Sequence, residues 1–123
     1  MTTTAELTSK KCAPCEGGVP ALAPADVTRL LVAVPQWKLT TDGKRIARAW
    51  RVKGFTDGLD FFRRVGELAE SEGHHPDLHL TGYRDVTIEL WTHAAGGLTE
   101  NDFILAAKID GLPQPPLKGS GRG

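Results

Sequence analysis

The chain lacks most of the features that would mark a specialised class. No apolar run approaches the roughly 18 residues of a membrane-spanning helix, and the start MTTTAELTSKK has no apolar centre of a secretory signal. A soluble, cytoplasmic protein with no membrane partner is expected. There is no excess of charge, because fifteen Lys and Arg balance fifteen Asp and Glu. The basic footprint of a nucleic-acid binder is therefore missing, and no nucleic-acid partner is expected. Cysteine is scarce: Cys12 and Cys15 are the only two, and a two-residue spacer puts them in one short loop instead of bridging distant elements, which fits a reducing compartment. Gly-rich phosphate loops, a GxSxG elbow and a Walker sequence are all absent.

What is present suits one compact domain of 123 residues. Residues 1–22 have no sustained period of 2 or 3.6 and read as a flexible extension, and the Pro/Gly-rich stretch from Gly111 to the end reads as a flexible tail. The folded part is expected at 23–110. Within it, Val27, Leu30, Leu31 and Val34 have helical spacing over Asp26 to Val34. Trp37–Thr40 and Arg45–Val52 flank Asp42-Gly43 as a hairpin. Thr56 to Glu72 is a helix with Thr56 as N-cap, Gly73 after its last turn, and a buried face of Leu59, Phe62, Val65, Leu68 and Ala69. Strands follow at Asp77–Thr81 and Asp85–Thr92, and Thr99 with Asp102 resembles a capping box opening a last helix that ends near Gly111. The order α-β-β-α-β-β-α predicts an α+β fold, a mixed sheet of about four strands covered on one face by helices.

The chemistry-bearing residues cluster. His74, His75, His79 and His93 fall within 20 positions, in a segment that also contains Glu70, Asp77, Glu89 and Asp102. His74 and His75 follow directly on a helix end, with Pro76 fixing the backbone, and His93 lies just past a strand, so their side chains can enter a cleft. Imidazoles beside carboxylates suit proton transfer at neutral pH. By alternation His79 shares a strand face with Asp77 and Thr81 and reads as a surface residue. No helical His-x3-His and no facial-triad spacing supports a metal site. Cys12-Ala13-Pro14-Cys15 could be half a zinc site or a redox pair, but it stands without a second pair. Trp37, Trp50 and Trp91 read as packing residues, although a Trp beside the histidines could stack on a planar ligand.

Glu70, Gly73-His74-His75-Pro76, Tyr83, His93 and Asp102, at fixed separations over 33 positions, resemble the signature of the pterin-4a-carbinolamine dehydratases. The likeness extends more loosely over about 24–110 through Trp37, the phrase VTIELWTH and the phrase GLTENDF. The resemblance implies a four-stranded antiparallel sheet with helices on one face, a homodimer or homotetramer, a pterin substrate, and no cofactor or metal. It implies removal of water from 4a-hydroxytetrahydropterin in tetrahydrobiopterin recycling. Carried over position by position, it makes His74 and His93 the acid/base pair, with His75 and Glu70 assisting. Trp37, Pro76, Thr92 and Asp102 complete the pterin-binding set, with Pro76 shaping the loop and Asp102, like Glu70, orienting or tuning the imidazoles. The alternative is a non-catalytic dimerisation or assembly factor that binds a protein partner through the same fold.

Overall fold

Alternation of apolar and polar residues builds the sheet, and its bounds follow the sequence closely. In the computed structural model, which describes residues 2–13 and 20–119, the strands are β1 (Lys38–Leu39), β2 (Ile46–Arg51), β3 (Asp77–Thr81) and β4 (Asp85–Leu90). They pair in the order β1-β2-β4-β3, every neighbour antiparallel. The sheet is thus antiparallel, as the family resemblance implies, and not mixed. Ile46, Trp50, Val86, Ile88 and Leu90 point to one buried face, while Ala47, Ala49, Thr87, Glu89 and His79 line the opposite face. Between β1 and β2, Lys44 N–H and the Thr40 hydroxyl bond the Asp42 carboxylate and hold it below the usual range.

The helices are α1 (Thr4–Thr8), α2 (Pro24–Leu31), α3 (Phe55–Glu72) and α4 (Glu100–Asp110). Pro24 opens α2 at a position where its missing N–H costs nothing. The N-cap of α3 is Gly54, not Thr56, and its buried stripe is Gly58, Phe61, Val65 and Ala69. Leu59, expected inside, is exposed. Gly58 accounts for the rotation: a Cβ there would lie 3.3 Å from Val86 Cγ2 and 3.4 Å from Leu80 Cδ1. The helix therefore meets the sheet at a side-chain-free position. Both ends of the chain contribute contacts where loose tails are expected. Leu7 on α1 is fully buried among core residues, and Thr4 Oγ1 donates to Ala33 O at 2.6 Å. At the other end Trp50 Nε1 donates to Gln114 Oε1 at 2.9 Å, and Lys118 N–H to Arg51 O at 2.8 Å. A five-residue helix and a run of single backbone bonds leave no periodic trace, so the sequence does not announce them. Pro14, Cys15 and the pair Gly17-Gly18 lie outside the described residues.

Candidate active site

Helix α3 ends because Gly73 adopts φ 67°, the left-handed conformation that stops a helix and turns the chain. Gly73 N–H still bonds Ala69 O and Glu70 O, and His74 N–H bonds Ala69 O. The chain therefore leaves the helix on a fixed course with His74, His75 and Pro76 at the mouth of a cleft. Beyond β4, the turn His93–Ala95 brings His93 to the same place. The cleft measures about 380 Å³ and is lined chiefly by His74, His75, Pro76, Asp77, Trp91 and His93, a size within the range of small-molecule sites.

His74 and Asp102 form its innermost pair. Asp102, at the third position of α4, is completely buried. Its Oδ2 accepts from Thr99 N–H at 3.0 Å and from the Thr92 hydroxyl at 2.9 Å. Its Oδ1 lies 2.6 Å from His74 Nε2. A carboxylate whose other oxygen is already filled by donors orders the imidazole: Nε2 carries the proton toward Asp102, and Nδ1 is left as the ring's acceptor. The His74 side chain is only 10% exposed. His75 is different. Its Nε2 meets Glu70 Oε1 at 2.9 Å, yet both side chains are largely in water, so this pair is held loosely.

His93 packs on Trp91 with ring centroids 3.9 Å apart and planes tilted by 45°. Trp91 is fixed in turn by Asp77, which accepts from its Nε1 at 3.2 Å, and by the Arg45 guanidinium 4.5 Å above its ring. Arg45 also pairs with Glu89 at 3.0 Å and Asp77 at 3.4 Å. His79, as its strand position predicts, sits exposed on the open face, 3.7 Å from Glu89. Asp77 was legible as a carboxylate in the histidine cluster and Trp91 as a tryptophan beside it; the pairing of Asp77 with Glu89 across β3 and β4 is what carries them to the cleft.

Of the eight site residues suggested by sequence, the structure brings His74, His75, Pro76, Thr92 and His93 to the cleft. Glu70 and Asp102 stand behind it as partners of His75 and His74. Thr92 is 2% exposed, with its hydroxyl engaged by Asp102 and Thr99 and its N–H by Gly97 O, so it supports the pair instead of offering a free donor. Trp37 does not line the cleft. It is buried, edge-to-face with Trp50, its Nε1 donating to Asp110 Oδ1 at 3.0 Å. Ala13 does line the cleft, and nothing in the sequence pointed to it.

Cys12, the described half of the Cys-x2-Cys pair, is buried against Asn101 O and Glu72. Burial, reinforced by the Glu72 charge, pushes its thiol up to about 12. A protonated thiol is a poor nucleophile and metal ligand. Among the described residues no cluster of three or more His, Cys, Asp or Glu is arranged to hold a metal ion, and no helix is long and apolar enough to cross a membrane.

Comparison with known proteins agrees with this arrangement. A family model described as pterin 4 alpha carbinolamine dehydratase matches residues 20–112. Pterin-4-alpha-carbinolamine dehydratase 2, mitochondrial, of Arabidopsis thaliana is 57% identical over 111 residues, covering 88% of this chain and 59% of its own. The chain thus spans little more than half the length of that plant relative. A Methylococcus capsulatus protein that carries a pterin-4-alpha-carbinolamine dehydratase name is 48% identical over 106 residues, covering 86% of this chain and 92% of its own. Among solved structures, a transcriptional coactivator/pterin dehydratase from Brucella melitensis superimposes with a TM-score of 0.68 at 27% identity. It covers 74% of this chain and 96% of its own. By the extent of these matches, the chain belongs to the pterin 4 alpha carbinolamine dehydratase family.

Proposed function

We propose that this protein is a hydro-lyase that dehydrates a 4a-hydroxytetrahydropterin, and that it does so in the recycling of tetrahydrobiopterin. In the reaction the C4a–O bond breaks and the hydroxyl leaves with an added proton as water. The N5 proton is lost, and its electron pair forms the N5=C4a double bond of the quinonoid dihydropterin. One base at N5 and one acid at the 4a oxygen complete the balance. His74 is the base, because an imidazole whose Nε2–H is held by a buried carboxylate presents Nδ1 as acceptor and is stabilised once protonated. His93, on the Trp91 side of the cleft, is the acid, and the Trp91 ring offers a flat apolar surface for a bicyclic substrate. The observation that carries this reading is the 2.6 Å contact of His74 with the fully buried Asp102 at the base of a cleft shared with His93.

The test is direct. A hydroxylase generates the 4a-hydroxytetrahydropterin, this protein is added, and quinonoid dihydropterin is followed by absorbance. Formation faster than the uncatalysed background supports the proposal; no acceleration by a folded protein contradicts it. The proposal includes a homodimer or homotetramer. It is supported by β3, which lies at the edge of the sheet and pairs only with β4 among the described residues, and by its exposed Leu78.

A further inference from the structure

We propose that residues 10–13 are a strap that completes the catalytic cleft and holds His74 against Asp102, which makes the segment preceding the family-matched region part of the active site. The proposal rests on the dehydratase reading for its kinetic consequence but not for its structural one. His74 and Asp102 belong to different elements: the first follows α3, the second lies in the first turn of α4. Their 2.6 Å contact therefore depends on how the end of one helix sits against the start of the other.

The strap ties these two ends together. On α3, Lys11 Nζ donates to Ser71 O at 2.6 Å and Cys12 N–H donates to Glu72 Oε1 at 2.9 Å, both within the last turn before Gly73. On α4, Ala13 N–H donates to Asn101 Oδ1 at 2.9 Å, and Asn101 Nδ2 returns a bond to Ala13 O at 2.6 Å. Asn101 immediately precedes Asp102. Lys10 adds an ion pair with Glu100 at 2.7 Å. Between the two anchor sets Cys12 is 8% exposed, filling the seam, and Ala13 forms part of the cleft wall. The strap is anchored upstream by Leu7 in the core. Acid/base geometry tolerates little looseness, and a displacement of about 1 Å can cost on the order of 10²-fold in rate. Asn101 and Ala13 are thus positioning residues, acting through Asp102 and His74.

The test is a cycle of Asn101→Ala, which removes the clamp from the α4 side, Ala13→Pro, which removes the N–H from the strap side, and the double variant. Two readouts are taken: kcat and KM for 4a-hydroxytetrahydropterin, and the ¹⁵N ring shifts of His74, which report its tautomer. We expect each single variant to lower kcat about tenfold, the double variant to lose no more than the worse single, and the His74 ring to shift from one fixed tautomer toward a mixture. Ala13→Pro leaves α4 untouched, so it carries the test should Asn101→Ala fail to fold. Folded variants with kcat within twofold of the parent and unchanged ring shifts would overturn the proposal, as would losses that multiply in the double. If the parent chain shows no dehydration, the functional reading fails while the ring shifts still decide the strap.

Discussion

Asp102 uses both carboxylate oxygens inside the protein, and that fixes what the histidine beside it can do. The Thr99 N–H and Thr92 hydroxyl hold one oxygen, so the other meets His74 without competing for water. These positions were legible in the sequence because the four histidines cluster and because Glu70, His74, His75, His93 and Asp102 keep the spacing of the dehydratase signature. The orienting role of Asp102 was legible through the family resemblance, but that of Thr92 was not, since a threonine at a strand end carries no sign that its hydroxyl serves Asp102 and not a ligand. Trp37 shows the same limit. A tryptophan near a hairpin carries no sign of whether its indole faces a ligand or, as here, is buried in the core with its N–H on the half-buried Asp110. Cys12 belongs to this scale too. With its thiol pushed up to about 12 by burial, it should resist alkylation by iodoacetamide at pH 7.5 in the native protein and react only after unfolding. Mass mapping of the labelled peptide checks this, and rapid native labelling at Cys12 would contradict its burial.

At the scale of elements, the long helix and the β3–β4 hairpin were legible almost to the residue, because periods of 3.6 and 2 persist over enough positions to be counted. On the buried face of α3, Val65 and Ala69 lie where the period puts them, and the difference is confined to the first turns, where Gly58 and Phe61 face inward and Leu59 does not. Leu59, Phe61 and Phe62 are all apolar, and the residue that decides among them, Gly58, carries no hydrophobic signal. Gly73 has a testable consequence, because its φ of 67° disfavours any residue with a Cβ. Gly73→Ala should cost about 1–2 kcal/mol, measured by urea unfolding, and should lower activity as His74 leaves its course.

The contact between α3 and α4 predicts a pH response. Desolvation raises the Glu72 carboxyl, but the Lys108 ammonium at 2.7 Å, the Cys12 N–H and the Lys11 charge outweigh it, so its value is lowered overall. A carboxyl lowered on folding contributes stability that is present above its ordinary value of 4.5 and lost as pH falls through the lower folded value. Thermal unfolding across pH 3–6 should therefore show a shallower acid loss for Glu72→Gln than for the parent. Parallel curves would remove Glu72 from the account.

For the whole molecule, the layering of helices on one face of a four-stranded sheet followed from element order, whereas the antiparallel pairing of all strands did not. Burial by short segments was also invisible. Leu7 is fully buried although it belongs to a five-residue helix with no detectable period. Leu7→Ala should lose about 2–5 kcal/mol in chemical denaturation; a loss below about 0.5 kcal/mol would mean that the N-terminal segment is not part of the fold in solution.

The steady-state dehydration rate of His74→Ala beside the parent chain, with circular dichroism confirming an unchanged fold, decides whether His74 is the base. If His74, ordered by Asp102, takes the N5 proton, kcat falls by about 10²–10⁴-fold and the double variant with His93→Ala sinks to the uncatalysed background. A folded His74→Ala protein that keeps kcat within about twofold of the parent would contradict the account.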